Sequence, residues 1–520
     1  MNNFQKILKF TVENKSFIFI ILFAFLFDGY LIGWASLNPY NFFYVGDGDH
    51  TCHHLAWVFF QNEPWHWPPG AIETQNIAAR TSIGLTDSLP LVAFILKALG
   101  LAGNFQYLGL WQLSCLILMG VFGVLFARQW TNSSALQCLT AAFLIIAPVL
   151  LLRLVWQSAL SAQWLIVASL YFYQKPWRFA PWAVLVGMVA LIHPYLMAMV
   201  LPIALFKAAF SKKWWAIVCF LALSLMLVYL AGYFEGNSLQ DHGFGYARAR
   251  FYSFFRPELS EFSLFLGFGV LALTVILAIS RFFYKNKIQF LSKESKGLCL
   301  CVFLILVFAM LTPRFGHWWL LGDLGNTFRI NGRFGWVFVY FFTLFVCAGI
   351  IQTFSKKIAI FLLAGAFLWQ ISSLHPWHNV YAENVKIMAE RRANPRAPML
   401  AMTELQTYAQ NAKTLIIFKN SEIVPSVWWD YVFGALPFAR YAANHQLQTN
   451  FLCQARPDRK GAFAFQNQIF EDLKNGKRDV QTLYVFLNDY SAEFLKENLP
   501  PEIAADLVFF EKYTLLPTKN

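Results

Sequence analysis

Charge is what this sequence has least of. Asp, Glu, Lys and Arg make up 13% of its 520 residues, against about 25% in soluble domains. With 58% hydrophobic residues and mean hydropathy +0.48, that scarcity excludes an ordinary water-soluble globule. Negative charge is scarcer than positive: 28 acidic residues face 41 basic ones, for a net +13. In so apolar a chain the surplus does not imply nucleic acid, because cytoplasmic loops of membrane proteins collect Lys and Arg. A cysteine framework is missing too. Six of the eight cysteines, at positions 115, 138, 219, 299, 301 and 347, fall in apolar runs, where Cys behaves as a small hydrophobe. Cys299 and Cys301 lack zinc-knuckle spacing. Cys52 and Cys453 stand apart in more polar sequence. A disulfide between them is open, provided their side of the membrane is oxidising. The first apolar run has no small-residue cleavage site, so it reads as a retained span. No internal repeat and no low-complexity tract occurs.

What is present is apolar sequence in lengths near the roughly 20 residues that cross a bilayer. Runs at 17–33, 105–127, 136–152, 158–173, 180–192, 195–210, 214–232, 262–279, 298–311, 333–351 and 358–374 predict about eleven spans by that length rule. His193-Pro194 marks a turn between two of them. With Lys6, Lys9 and Lys15 inside, Arg128, Lys175, Arg178, Lys207, Lys212, Lys213, the 281–296 cluster, Lys356 and Lys357 all fall inside, as the positive-inside rule asks. This holds only if 87–100 does not cross but lies on the outer surface as a juxtamembrane helix. The expected fold is a polytopic α-helical membrane protein with a small C-terminal extracytoplasmic α/β domain. Residues 1–380 form the membrane part, 34–103 its first outer loop, and 381–520 the outer domain. In that domain 414–419, 482–487 and 507–516 read as strands, and 464–475 and 492–498 as helices. The expected location is a bacterial inner membrane, N-terminus cytoplasmic and C-terminal domain periplasmic.

The outer loops hold the chemistry. Asp47 and Asp49 flank a glycine just after the first span. Carboxylates there suit a divalent cation such as Mg or Mn, or a general base on an acceptor hydroxyl; a solvated Asp-Gly turn is the bland alternative. His50 and His54 share a face on any helix that follows, a spacing that permits zinc, and His53 lies between them. Thr86-Asp87-Ser88 is a good N-cap for the juxtamembrane helix, and Asp87 also suits a ligand. Arg329 and Arg333, spaced i, i+4, would share a helix face and clamp a phosphate; otherwise they snorkel. Arg153 with Gln157, and His193 with Tyr195, occupy other outer turns.

Several of these stretches resemble the GT-C class of glycosyltransferases, polytopic enzymes that take sugars from polyprenyl-phosphate carriers. The similar stretches are Gly48-Asp49, His53, Trp57 with Phe59-Phe60, Pro64-Trp65, Pro69-Gly70, Thr86-Asp87-Ser88-Leu89-Pro90-Leu91, Gly232-Tyr233-Phe234, Gly243-Phe244-Gly245, and Phe328-Arg329 through Arg333-Phe334 to Trp336. They look like a bacterial family of GT-C-like membrane proteins without a characterised function, and the likeness covers roughly the first 380 residues. The resemblance implies that Asp49 is the catalytic carboxylate and Asp47 its helper. It implies that Arg329, Arg333 and Arg153 bind donor phosphate, and that His53, His50, Asp87, His193, Tyr195 and Trp57 line the substrate pocket. It further implies a polyprenyl-phosphate-linked sugar as donor, a glycan or protein as acceptor, and membrane lipid as surroundings; metal is dispensable if Arg neutralises a monophosphate. The competing readings are a transporter or flippase for lipid-linked glycans and a non-catalytic envelope assembly protein. A transporter would place ionisable groups at the bilayer midplane. Here the spans are nearly free of them, Asp28 excepted.

Overall fold

A computed structural model describes residues 3–41, 49–103, 105–235, 247–258, 263–283, 295–312, 327–374, 402–420, 428–454, 458–510 and 512–519. The chain is mostly helical with a small C-terminal sheet. In chain order the first ten helices are α1 (Asn3–Leu31), α2 (Asp49–Asn62), α3 (Pro90–Ala98), α4 (Leu108–Ala127), α5 (Ser134–Ile145), α6 (Pro148–Trp156), α7 (Trp164–Tyr173), α8 (Phe179–Ile192), α9 (Pro194–Phe210) and α10 (Trp214–Leu230). Then come α11 (Phe268–Phe283), α12 (Ser295–Met310), α13 (Trp336–Thr353), α14 (Lys356–Ser372), α15 (Met402–Tyr408), α16 (Trp428–Asn444), α17 (Arg459–Lys474), α18 (Ala492–Asn498) and α19 (Pro501–Ala504).

Helix forms in every one of the predicted apolar runs. Among the described residues, three helical segments are long and apolar enough to cross a membrane: Asn14–Leu31, Leu108–Ala127 and Asn331–Thr353. At about 1.5 Å per residue they approach the roughly 30 Å of a hydrocarbon core. The count of about eleven full-length spans is therefore not reproduced. The run at 136–152 shows one reason. It breaks between Ile145 and Pro148 into α5 and α6, since Pro148 has no N–H to continue a helix and suits the first turn of a new one. The predicted turn at His193-Pro194 is present, with His193 extended between α8 and α9.

The chain divides into two units. The first comprises residues 1–44, 106–227 and 239–387. Here α4 packs on α1, α5 and α7, while α11 packs on α13 and α14. Its contacts are aromatic and aliphatic, as where Phe143 and Phe23 both meet Phe367 edge-on. Two buried amides tie the helices across this apolar interior. Gln163 accepts from the Tyr340 hydroxyl at 2.7 Å and donates to the Val149 carbonyl; Gln112 donates to buried Asp28 at 3.3 Å.

The second unit gathers residues 45–105, 228–238 and 388–520. It thus joins most of the first loop to the C-terminal part, a grouping that cuts across a division by sequence order near residue 380. Its sheet contains β3 (Thr414–Phe418), β4 (Gln448–Thr449), β5 (Thr482–Phe486), β6 (Val508–Phe510) and β7 (Tyr513–Leu516), after a two-residue hairpin of β1 (Ala71–Ile72) and β2 (Thr81–Ser82). Strand order is β4-β3-β5-β7-β6. β3 runs parallel to β4 and β5, and β7 antiparallel to β5 and β6. The expected single last strand is therefore a hairpin, with Phe510 paired to Tyr513 across the turn. Phe418, Phe486, Tyr484 and Phe470 form the aromatic core of the sheet.

The two parts of this unit are joined by backbone and by sulfur. Thr449 donates to the Thr74 carbonyl and Ile77 to the Thr449 carbonyl, so a first-loop segment covers the edge of β4 that would otherwise be unpaired. α2 packs on α16, and Cys52 is disulfide-bonded to Cys453, with Cα atoms 5.7 Å apart. The remaining cysteines, all in the first unit, are free. Gly70 donates its N–H to Leu230, and a Cβ on Gly70 would lie 2.3 Å from the Ala231 oxygen, so only glycine permits this approach. Replacement of Cys453 by Ser is expected to cost the unit about 2–5 kcal/mol. Limited proteolysis should then cut 402–454 faster in the variant than in the parent; equal rates would show the bridge to be dispensable.

Candidate functional site

Among the described residues of the first unit, two buried arginines from different chain segments meet at one glutamine. α6 carries Arg153 in its last turn, and Gln157 caps that helix. Arg333 lies in a 3-10 turn, Asn331–Gly335, that leads into α13. Arg153 and Arg333 are only 2% and 5% exposed. Arg153 Nη1 donates to Gln157 Oε1, and Arg333 Nη2 donates to the same oxygen at 3.3 Å. Two buried guanidinium groups thus converge on one neutral carbonyl. Their planes are supported by aromatics: Arg333 lies 5.0 Å from the Tyr195 ring centre and Arg153 5.9 Å from that of Trp336.

The turn bearing Arg333 is held by its neighbours. The Tyr195 hydroxyl accepts from the Ile330 N–H at 2.9 Å. Asn331 Nδ2 donates to the Phe308 and Leu311 carbonyls at the end of α12. Phe328, Phe334 and Tyr195 pack edge-on around the turn. His193 caps α9, its Nδ1 accepting from the Tyr195 N–H at 3.0 Å. His193 and Tyr195 therefore both support the wall on which Arg333 sits.

One geometric premise does not hold. Arg329 and Arg333 do not share a face of an α-helix, because α13 begins only at Trp336 and Arg329 lies in a bend before the 3-10 turn. Gly332 donates to the Ala247 carbonyl and Asn331 caps α12, bonds that draw this backbone away from α-helical pairing. Arg329 is half-buried.

The acidic segment belongs to the second unit. Asp47 lies outside the described residues, as do Asp241, His242, Arg314, His317 and Asp323. Asp49 is the first residue of α2 and half-buried. His50, His53 and His54 follow on α2, all 3% exposed, and Trp57 is fully buried. The His50 and His53 rings meet edge-on, 5.9 Å apart. No group of three His, Cys, Asp or Glu that could hold a metal occurs among the described residues. The i, i+4 spacing of His50 and His54 is present on α2.

His54 Nε2 bonds the Phe105 carbonyl at 3.2 Å, which fixes the proton on that nitrogen, since a carbonyl only accepts. Burial, with Arg440 nearby, lowers His54 to about 3 from an ordinary 6.5. The imidazole is thus neutral when folded and protonates near pH 6.5 when unfolded, so stability is full above that pH and falls as pH drops toward 3. The slope contributed is up to about 1.4 kcal/mol per pH unit. A His54→Gln variant should show a flatter decline in melting temperature from pH 6.5 to 4 than the parent. Parallel curves would remove this residue from the acid response.

The predicted cap of α3 is not formed. Leu89 is the N-cap, with no side-chain cap bond, and Pro90 opens the helix. Thr86 and Ser88 instead bond each other at 2.9 Å, and Thr86 returns to the Ser82 and Ile83 carbonyls. Asp87 and Leu89 both have positive φ, whereas an N-cap residue ordinarily has β-region backbone. Asp87 acts electrostatically on buried Tyr233, whose phenol is raised well above its usual value, by burial first. Lys97 on α3 donates to the Phe60 carbonyl at 2.8 Å and lies 4.5 Å from the Trp65 ring centre. Burial lowers it to about 8, against the attraction of Glu63. Glu63 itself accepts from the Glu73 and Thr74 N–H groups and pairs with His66 at 2.9 Å. Sequence reading missed this loop anchor, since nothing in its local pattern separates it from a solvated glutamate.

Residues 20–375 match a domain of unknown function, DUF6311, and residues 404–514 match the DUF6311 C-terminal domain. The chain belongs to the DUF6311 family. The first match takes in α2, Arg153 and Arg333 together; the second takes in β3 to β6 with α16 and α17. No curated protein matches this DUF6311 chain.

Proposed function

We propose that this DUF6311 protein is a polytopic membrane glycosyltransferase of GT-C type. In this reading it transfers a sugar from a polyprenyl-phosphate-linked donor to an extracytoplasmic acceptor: a surface polysaccharide, a lipid-linked glycan or a pilin-like protein. The observation that carries the reading is the buried pair Arg153 and Arg333 on the single Gln157 oxygen. Guanidinium forks match phosphate geometry. A phosphate held by both forks has its developing charge as leaving group stabilised by donors already in position.

The reaction is an inverting displacement. The acceptor oxygen forms a bond to the anomeric carbon while the bond from that carbon to the phosphate oxygen breaks. Polyprenyl phosphate leaves with the electron pair, and the hydroxyl proton passes to a carboxylate base. Asp49 is assigned that role, with Asp47 as helper. Metal is not required where two arginines neutralise a monophosphate. The outward placement of the second unit is supported by its cysteines. Cys52 and Cys453 are bonded, as suits an oxidising compartment, while the free thiols lie in the first unit. The periplasmic face of a bacterial inner membrane fits both.

The test is surface glycan profiling by mass spectrometry in a host lacking the gene, restored with parent or variant chain. A missing glycan feature that returns with the parent supports the reading. An unchanged profile on deletion sinks it in favour of a scaffold role.

A further inference from the structure

Arg440 lies on α16 in the second unit and takes no part in the chemistry above. Its Nε and Nη2 are buried and have no hydrogen-bond partner among the described residues. No salt bridge to it occurs among the described residues, although other pairs in the same unit, such as Lys419–Asp489 and Arg478–Asp506, are formed. The residue as a whole is half-buried, with two of its three guanidinium nitrogens out of water. α16 packs on α2, and the interaction resolved for Arg440 from that helix is with His54, a neutral imidazole that offers no countercharge. A desolvated cation normally has a paired anion, and five N–H donors in a fixed fork favour a planar or tetrahedral oxyanion.

We propose that Arg440 is the anchor of an oxyanion-binding site on the second unit, beside α2, that takes a phosphate or carboxylate group. A phosphate diester or uronate on a glycan and a free inorganic anion share this chemistry. The Arg153–Arg333 pair belongs to the first unit, and the proposal stands whether or not that pair binds a donor.

The experiment is hydrogen exchange of the full-length, detergent-purified protein with inorganic phosphate, with glucuronate, and with chloride at matched ionic strength. Binding at ten times the dissociation constant reduces local opening about 11-fold. Peptides covering α2 and α16 should therefore exchange about that much more slowly in phosphate or glucuronate than in chloride. Protection by glucuronate indicates a glycan carboxylate as the natural group, and protection by phosphate alone indicates a phosphate. Arg440→Met should abolish the effect and, by removing an unpaired cation, leave the melting temperature in chloride equal or higher. The Arg153→Gln, Arg333→Gln double variant should keep it, which separates this site from the proposed donor site. Equal exchange in all three salts, or unchanged protection in Arg440→Met, overturns the proposal.

Discussion

Arg333→Gln is expected to lower sugar transfer by about 10²–10³-fold in kcat, the usual cost of removing one preorganised donor from a developing oxyanion. Arg153→Gln should cost a similar factor. Both side chains meet the same Gln157 oxygen, so they act as one device, and the double variant should lose less than the product of the single losses. Lysine is not an adequate substitute. It keeps the charge but loses the fork that reaches amide and phosphate together, so Arg333→Lys should fall between parent and glutamine variant. The measurement is transfer from a radiolabelled polyprenyl-phosphate sugar in proteoliposomes, with melting temperature as a check on folding. If both single variants transfer at the parental rate while folding normally, the pair is structural and the enzyme reading loses its main support.

Asp49→Asn is expected to lower kcat by about 10²–10⁴-fold, the range for loss of a general base, with KM little changed. The substitution is a clean one. Asp49 is the first residue of α2, where loss of one negative charge costs a helix about 0.3–1 kcal/mol, so the helix should persist. The rate should fall because the amide cannot accept the proton. A transfer rate within twofold of the parent would move the base elsewhere, with Asp47→Asn the next variant to measure.

Local pattern carried much of the architecture. Apolar runs became helices from α1 through α14, Asp49 to Asn62 became a helix bearing three histidines, and the strands at Thr414–Phe418 and Thr482–Phe486 formed where their β-branched and aromatic residues placed them. Pattern failed where a single residue redirected the backbone. Pro148 divided one apolar run into two helices, and Leu89 with positive φ took the cap that Thr86, Asp87 and Ser88 were suited to. It was also silent on α16 and β4, whose mixed composition gives no clean period.

Sequence alone thus determined that the chain is apolar and helical, with a small α/β C-terminal part, and named Asp49, Arg153 and Arg333 among its candidates. Those are properties of composition and of periods of two and 3.6, which short stretches encode by themselves. Only the tertiary structure decided which candidates meet. Arg333 reaches Gln157 from 176 positions away, and Cys453 reaches Cys52 from 401 positions away. Such pairings depend on how helices and sheet edges pack, and no local period records that.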